Sequence, residues 1–580
     1  MIDCHEEIFG SPHMNKSFWT PQNIILVLLP VLTLTLLVGE SKYVEPMFIN
    51  ATYYLLLTLV GSWVTVYLLS ARGLTRTAVW EWVKANKAGI VVAVAVTIIT
   101  GLAVHPALRV LADETNLLGT SKNFFFNKTA TFTTTGKYYY DNFWDGGVVI
   151  DRRPSLFPFL VSLFHVVRGY TYTNVFLLNL VVLPIFVLTS YRLAKSLGGE
   201  VFGVASALLI AAHPITLISC RSGGFDFLAA FFAVLIVKNF LDHCRAPSAD
   251  RLAVLWMNFC MFAEIRYETG LFIAPLVFFL LVFRLAKLEY LRPYRLIYSL
   301  TPIFLLPRLW QAILRGNVPE QDPGAVVFGV QNLAANARDY FKPLLNPFDY
   351  HVPHSAFIIG LGIVGCVLGI RWMIKRLVPS DRPVPEMQFS AMVVGWMALQ
   401  LIIVFTYVWG RPLHPASARL IIAIDTFFSF PAAWALTAML SRLKPIFTTV
   451  VCAGLFLMYL PVASQYRLLN ELTLTREAAT TWRFFESLHE PRILIVTERP
   501  GLFTVMNYGS VDFESAKQDP SLLEGLSRHL YYDIYLIQQI DLSNNQPLPP
   551  FQIWPDRPVQ KLLEFQNDAN ATVRISRLVH

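Results

Sequence analysis

Two adjacent acids, Asp113 and Glu114, follow directly after a long apolar segment at residues 89–111. Ionisable side chains are costly to place at a membrane and are functional candidates for that reason. A carboxylate at such a boundary could serve as a general base or as a metal ligand. The alternative is that both acids face water and simply close a membrane helix. The pattern alone favours neither interpretation.

A third acid, Asp226, follows Arg221-Ser222-Gly223-Gly224 and opens the apolar segment 225–241. An acid near a helix N-terminus is stabilised by the helix dipole, so a capping role would explain its position. The topology set out below, however, places Asp226 and Asp113 on the same side of the membrane. Two acids that approach from different loops favour a cleft over two independent caps.

Arginine is more frequent on this side of the chain than the positive-inside rule allows near membrane spans. A phosphate ligand would account for the excess, because arginine binds phosphate through bidentate, charge-assisted hydrogen bonds. The alternative is ion pairing with local acids, for example of Arg266 with Glu264 or Glu268. The arginines concerned are Arg152, Arg153, Arg221, Arg266, Arg308, Arg411 and Arg419.

The composition indicates a polytopic membrane protein in which these residues are held by apolar helices. Of the 580 residues, 55% are hydrophobic and only 15% are charged, whereas soluble domains carry about 25% charged residues. The apolar residues fall in blocks of about 20, the length of a helix that crosses a bilayer. The net charge of +8 is an orientation signal, and no nucleic-acid partner is predicted. The six cysteines form no C-x-x-C pair, so neither a zinc site nor a disulfide framework is indicated.

We predict thirteen membrane spans, and the loops between them alternate in positive charge. Because lysine and arginine gather on the cytoplasmic side, the N-terminus is predicted to be cytoplasmic and the C-terminus external. In a bacterial inner membrane the external side is the periplasm. The predicted spans are 22–38, 51–71, 89–111, 173–193, 200–219, 225–241, 252–268, 270–287, 296–313, 355–372, 388–408, 418–440 and 445–461.

The chain is predicted to have two domains, a transmembrane domain at 1–461 and a small external α/β domain at 462–580. The external loop 112–172 is too long for a simple connector and is predicted to carry the active site, with short helices at 117–126 and 156–167. In the second domain charge rises and strand-like runs alternate with helix-like stretches. The strand-like runs are 492–497, 533–538 and 572–575, with a helix-like stretch at 520–530.

The order of these motifs resembles the membrane glycosyltransferases of the C-type fold (GT-C), and is most similar to the branch of the protein O-mannosyltransferases and aminoarabinose transferases. That branch has an acidic pair, then a basic residue and proline that open an interfacial helix, then a short S-R-x-x-x-x-D segment. The matching residues are Asp113-Glu114, Arg153-Pro154-Ser155-Leu156, and Ser219-Cys220-Arg221 leading to Asp226. The likeness covers about 89–440. The pair here follows the third predicted span, whereas in the family it follows the first.

The resemblance implies an integral-membrane glycosyltransferase that moves a sugar from a polyprenyl-phosphate donor to an acceptor on the external face. Asp113 would then be the base for the acceptor hydroxyl, and Glu114 or Asp226 would orient the acceptor or the sugar. Cationic side chains would stabilise the charge that develops on the leaving phosphate. The candidate phosphate ligands are Arg153, Arg221, Arg266 and Arg419.

The partners expected from this resemblance are the lipid-linked donor, membrane lipids, and a lipid, polysaccharide or protein as acceptor. The sequence requires no cofactor and leaves the presence of a divalent metal open. Two other classes of protein are compatible with many spans and buried charges. One is a transporter or flippase of lipid-linked sugars, although the internal repeats typical of transporters are not evident. The other is a non-catalytic assembly subunit, which would leave the acids and arginines of one face without a role.

Overall fold

The structure is a computed structural model that describes residues 41–139, 142–315, 327–345, 355–377, 385–411, 417–464, 473–519, 521–527, 530–566 and 571–579. Within these ranges the chain is mainly helical, and its strands form one sheet. The longer helices are α1 Ser41–Ser70, α2 Arg76–Ala85, α3 Lys87–Ala103, α4 Leu111–Phe126, α5 Leu156–Arg168, α6 Asn174–Ala212, α7 Pro214–Ser219, α8 Asp226–Arg245, α9 Ala249–Ala263, α10 Ile273–Val282, α11 Leu306–Arg315, α12 Val330–Phe341, α13 Ala356–Leu377, α14 Pro385–Thr406, α15 Ile422–Met439, α16 Pro445–Ser464 and α17 Thr473–Leu488.

Shorter helical turns complete the described helices. They are Thr269–Phe272, Leu288–Leu291, Arg292–Tyr294, Arg295–Ser299, Thr301–Phe304, Lys342–Leu345, Ala418–Ile421, Gly501–Thr504, Phe513–Gln518, Ser521–Ser527 and Pro549–Phe551. The strands are β1 Thr131–Tyr139, β2 Asn142–Ile150, β3 Ile493–Val496, β4 Gly509–Val511, β5 Asp533–Asp541, β6 Val559–Gln566 and β7 Ala571–Leu578.

The protein is a membrane protein. In the described part of the chain, six helices are long and apolar enough to cross a bilayer, or seven if the bent pair α2 and α3 forms one span. The count of thirteen spans stays a prediction, and the first predicted span, 22–38, lies outside the described residues. The six helices are Lys42–Ser70, Asn174–Ala212, Asp226–Arg245, Pro385–Thr406, Ala418–Met439 and Pro445–Ser464.

Several helix ends differ from the predicted span ends. Helix α3 ends at Ala103 and not at residue 111, and Pro106 follows in the non-helical segment, where its missing N–H cannot continue a helix. Helix α9 ends at Ala263, so residues 264–268 form a turn outside the predicted span 252–268. Hydropathy identified both apolar segments but could not locate these breaks.

Two glycines shape the membrane helices around the site. Gly199 has a φ of 84° and interrupts the helical backbone of α6 between the predicted spans 173–193 and 200–219. Glycine adopts this conformation without the steric cost that other residues carry. Gly89 lies under the ring of Tyr191, and a Cβ there would come within 2.2 Å of that ring. It therefore allows α3 to approach α6 closely.

The sheet has the strand order β2-β1-β4-β3-β5-β7-β6. Strand β3 is parallel to β4 and β5, whereas β5-β7 and β6-β7 are antiparallel pairs. The strands predicted at 492–497, 533–538 and 572–575 are confirmed as β3, β5 and β7. The predicted helices at 117–126, 156–167 and 520–530 correspond to α4, α5 and Ser521–Ser527.

The hairpin of β1 and β2 was not predicted, and it comes from the segment 112–172, which was predicted to be an external loop. It joins the sheet through Gly136, which pairs with Ser510 of β4. Helix α4 is tied to the same sheet, since Lys122 donates to the carbonyl of Thr504 at 2.9 Å and pairs with Asp145 at 3.0 Å. The helix that carries Asp113 and Glu114 is therefore anchored on the C-terminal sheet.

Candidate active site

Asp113 and Glu114 both lie in the first turn of α4. Consecutive residues of an α-helix point about 100° apart, because the helix has 3.6 residues per turn. The two carboxylates accordingly have different surroundings, with arginine side chains around one and backbone N–H groups around the other.

Asp113 is held between two arginines. Arg153 donates from Nε and Nη2 to Oδ1 at 2.9 and 2.7 Å, and Arg419 contacts Oδ2. Burial acts to raise the pKa of Asp113, but the charges of Arg419 and Arg153 and their hydrogen bonds outweigh it and bring that pKa down to about 2. The side chain keeps 26% of its surface exposed, so it can be reached from solvent.

Arg153 is also held by a second carboxylate, that of Asp151. Asp151 is fully buried; its Oδ1 accepts the backbone N–H of Arg153 at 3.0 Å and lies 3.5 Å from the guanidinium. Thr120 of α4 donates to the other oxygen of Asp151 at 2.7 Å. Asp151 was not predicted from the sequence, although it stands two residues before Arg153 in the Asp-Arg-Arg-Pro segment. An acid that close to a predicted phosphate ligand was the available signal.

Asp226 joins the same cluster from the first turn of α8. Its carboxylate contacts the guanidinium of Arg266, and Oδ2 lies 3.6 Å from Nη1 of Arg419. Arg266 also pairs with Glu268 and lies over the ring of Phe225, 5.2 Å from its centre. Arg419 thus bridges Asp113 and Asp226, and the ion pairing of Arg266 with Glu268 suggested by the sequence is present.

The structure therefore brings together five of the predicted residues in an alternating series of charges. We call the series Arg153, Asp113, Arg419, Asp226 and Arg266 the charged cluster. Asp226 opens the apolar helix α8, and Arg419 stands in the helical turn before α15. Asp113 lies in the first turn of α4, and both remaining arginines come from loops.

A small cavity lies beside the charged cluster. Its lining includes Asp226, Arg266 and Arg419 together with apolar residues of α8 and α15. Trp396 and Gln400 of α14 close it. The cavity encloses about 20 Å³, which is room for about one water molecule.

Glu114 does not belong to the charged cluster. It is 1% exposed, and its Oε2 accepts the backbone N–H groups of Arg109 at 3.1 Å and Gly223 at 2.9 Å. Burial raises the pKa of this carboxyl, opposed by the charge of Arg109 and by these hydrogen bonds. The contacts join the segment before α4 to the segment before α8. Its predicted role in orienting a substrate stays a prediction, and its observed contacts are structural.

Arg221, like Glu114, is not a member of the charged cluster. Its Nε donates to the carbonyl of Val104 at 2.8 Å, and Nη2 lies 3.5 Å from the carbonyl of Gly101. These carbonyls belong to the C-terminal end of α3, where a cation is favoured by the helix dipole. The phosphate-binding role predicted for Arg221 stays a prediction, and the observed geometry accounts for its charge without one.

Arg308, another arginine singled out by the sequence, has different partners. Arg308 donates from Nη2 to the carbonyl of Tyr267 at 2.6 Å, and its backbone N–H donates to Glu264 at 3.2 Å. In the described ranges, no group of three or more acids, histidines or cysteines is arranged to hold a metal ion.

The chain is similar to membrane glycosyltransferases. The crystal structure of ArnT from Cupriavidus metallidurans bound to undecaprenyl phosphate has 12% identity and a TM-score of 0.45, over 84% of this chain and 97% of that one. The Archaeoglobus fulgidus oligosaccharyltransferase tethered with an acceptor peptide has 12% identity and a TM-score of 0.45, over 79% of this chain and 70% of that one. No family model and no curated protein sequence matches the chain.

Proposed function

We propose that this protein is an integral-membrane glycosyltransferase that transfers a sugar from a polyprenyl-phosphate donor to an acceptor on the external face of the membrane. The observation that carries the proposal is the convergence of Arg153, Arg419 and Arg266 on two acids, of which Asp226 is the first residue of a candidate membrane span. Three guanidinium groups in one place are suited to a phosphate that is bound to a membrane lipid.

The two arginines on Asp113 are the proposed ligands of the donor phosphate. Arg153 directs Nε and Nη2 at a single oxygen of Asp113. On a phosphate the same two N–H groups can reach two oxygens, which is the bidentate geometry of arginine. A phosphate that enters the cluster competes with Asp113 for both guanidinium groups. Cations held at this point also stabilise the charge that develops on the leaving phosphate.

The same competition gives Asp113 its proposed role. With a pKa of about 2 the carboxylate is ionised but is a weak base, and general bases are most effective when their pKa lies near the working pH. A donor phosphate that draws Arg153 and Arg419 away raises the pKa of Asp113 and frees one oxygen. That oxygen then takes the proton of the acceptor hydroxyl, which attacks the sugar carbon as the phosphate leaves with inversion. Base activation is in this way coupled to donor binding.

Asp226 is proposed to hold the rest of the phosphate site in place. It contacts Arg266 and lies near Arg419, so it fixes both arginines at the cavity beside α8 and α15. Its carboxylate is 5% exposed, compared with 26% for Asp113, which fits a positioning role better than that of base.

The topology is part of the proposal. Residues 112–172 and 462–580 are placed outside the membrane, and in a bacterial cell the acceptor would be reached from the periplasm. A transporter is less well supported, because transporter sites lie near the bilayer midplane, whereas Asp226 and Arg419 are at the beginning of candidate spans.

The direct test is consumption of a polyprenyl-phosphate sugar by the purified protein in detergent, measured with a radiolabelled sugar and a panel of such donors. We expect release of the polyprenyl phosphate from at least one donor, and release about 100-fold slower or less by Asp113→Asn. Equal release by the two proteins would contradict the proposed base. Transport of a donor across liposome membranes without any cleavage would favour the flippase instead.

A further inference from the structure

A second and larger cavity lies away from the charged cluster, and we call it the outer groove. Its walls are residues 105–108, the N-terminal end of α6, the C-terminal end of α16 and one face of α17. It encloses about 420 Å³ and shares no lining residue with the cavity beside Asp226. This volume is in the range of small-molecule binding sites, roughly 300–1,000 Å³.

The face of α17 that lines the groove is positively charged. Arg476 and Arg483 are one heptad apart, which places them on the same side of a helix. Both are exposed, and within the described part of the chain neither guanidinium is paired with a carboxylate. The acid on this face, Glu486, is already in contact with the hydroxyl of Tyr172. The groove therefore presents two guanidinium groups that are available to an anion.

The groove also has an aromatic wall and a position at the ends of apolar helices. Tyr172 and Trp482 pack edge to face with ring centres 4.9 Å apart. Ser464 is the last residue of the candidate span α16, and Thr173 directly precedes the candidate span α6. Aromatic residues beside span ends are typical of the headgroup level of a bilayer, where lipid phosphates lie.

We propose that the outer groove binds the phosphate of a phospholipid from the surrounding bilayer. Arg476 and Arg483 hold the phosphate oxygens, while Trp482, Tyr172 and Phe176 pack against the glycerol and the first carbons of the acyl chains. A free phosphate ion offers the same charge, but the aromatic wall gives it nothing to pack against. The proposal does not depend on the transferase assignment.

A lipid in the groove is connected to the charged cluster through residues 105–110. Thr475, next to Arg476, lies with its hydroxyl 3.3 Å from the carbonyl of Arg109. The backbone N–H of Arg109 donates to Glu114 in the first turn of α4. Occupation of the groove thus stabilises the segment that leads into the turn carrying Asp113, and it fixes α17 at the membrane surface.

The test measures protection of a cysteine placed in the groove of the full chain. The reporter is Ala479→Cys, which lines the groove. Cys4→Ser and Cys366→Ser remove two other thiols from the background. The remaining cysteines, Cys220, Cys244, Cys260 and Cys452, are buried. Alkylation at position 479 by a maleimide is followed by mass spectrometry in neutral detergent. The probes are phosphatidylglycerol, diacylglycerol and inorganic phosphate; Thr480→Cys is the second reporter if the first variant does not fold.

We expect phosphatidylglycerol to slow alkylation about tenfold, and Arg476→Gln with Arg483→Gln to raise the half-protecting lipid concentration about tenfold. The matched control, Lys517→Gln with Arg557→Gln, removes two charges elsewhere on the C-terminal region and should leave protection unchanged. Absence of protection in the parent, equal protection by diacylglycerol, or equal loss in the control would overturn the phosphate site. Equal protection by inorganic phosphate would overturn the assignment to a lipid.

Discussion

Asp113 and Glu114 are neighbours in one turn of α4, yet their carboxylates are held by different kinds of group. Asp113 is held by the side chains of Arg153 and Arg419, which can exchange one anion for another. Glu114 is held by backbone N–H groups of Arg109 and Gly223, which have no such alternative. An exchangeable contact suits a binding site, and a backbone contact suits a scaffold.

The strongest test of this difference is the same acid-to-amide substitution at Asp113 and at Glu114. Asp113→Asn should lower the rate of sugar transfer by about 100-fold or more, the usual cost of a lost general base. Glu114→Gln keeps an oxygen that can accept both backbone N–H groups and should retain most of the activity. The measurement is kcat for each purified variant. Equal losses in the two variants would mean that both acids are catalytic and that the distinction between them is wrong.

Removal of the Glu114 side chain should act on stability. Glu114→Ala leaves the N–H groups of Arg109 and Gly223 without their acceptor, and a buried unsatisfied group costs about 1–3 kcal/mol of unfolding free energy. We expect a lower melting temperature in detergent for Glu114→Ala, with a much smaller change for Asp113→Ala. A lower melting temperature for Asp113→Ala alone would contradict the assignment of Glu114 to the scaffold.

Arg153 and Arg221 provide a second test, because one contacts Asp113 and the other contacts backbone carbonyls. Arg153→Ala should weaken donor binding about tenfold or more, because a charged hydrogen bond contributes about 1.5–3 kcal/mol, and Arg153→Lys should recover only part of the loss. Arg221→Ala should leave donor binding nearly unchanged and lower the melting temperature, since Arg221 contacts the end of α3. Donor KM and melting temperature of both variants test this. Weakened donor binding in Arg221→Ala would show that Arg221 belongs to the phosphate site.

The smallest expected effect concerns pH. The arginines around Asp113 lower its pKa from 3.8 to about 2. Its ion pairs therefore stabilise the folded state at pH values above 3.8, the pKa of this carboxyl in the unfolded chain. This contribution falls as the pH drops from about 4 toward about 2, where the carboxylate takes up a proton. The melting temperatures of the parent and Asp113→Asn should differ by a constant amount from pH 5 to 8 and converge below pH 4. A difference that changes between pH 6 and 8 would exclude such a low pKa.

Hydropathy and patterning predicted the apolar segments of the six candidate spans and three of the strands, but not the hairpin of β1 and β2. Its strands contain Thr133-Thr134-Thr135-Gly136 and Gly146-Gly147, which lack the apolar alternation of a strand with one buried face. Strands β1 and β2 pair with each other along their length, but β1 also pairs with β4, which lies far along the chain. Such a pairing is fixed by tertiary contacts and leaves little trace in the local sequence.

The candidate residues show the same limit at the level of side chains. Residue type and sidedness selected Arg153, Arg266, Arg419, Asp113 and Asp226, which the structure brings together. The same reasoning selected Glu114 and Arg221, whose partners are backbone groups. Backbone N–H and carbonyl groups are present at every position, so the sequence cannot show which of them a side chain will reach.

The central claim is that Asp113 and the donor phosphate compete for Arg153 and Arg419. The most direct measurement is the affinity of purified parent and Asp113→Asn for a polyprenyl phosphate, by equilibrium binding in detergent. Loss of the competing charge should make the variant bind the lipid phosphate about tenfold more tightly or better, given about 1.5–3 kcal/mol for a charged hydrogen bond, although it no longer transfers sugar. Unchanged or weaker binding by Asp113→Asn would contradict the account, because the arginines would then not be shared between the two anions.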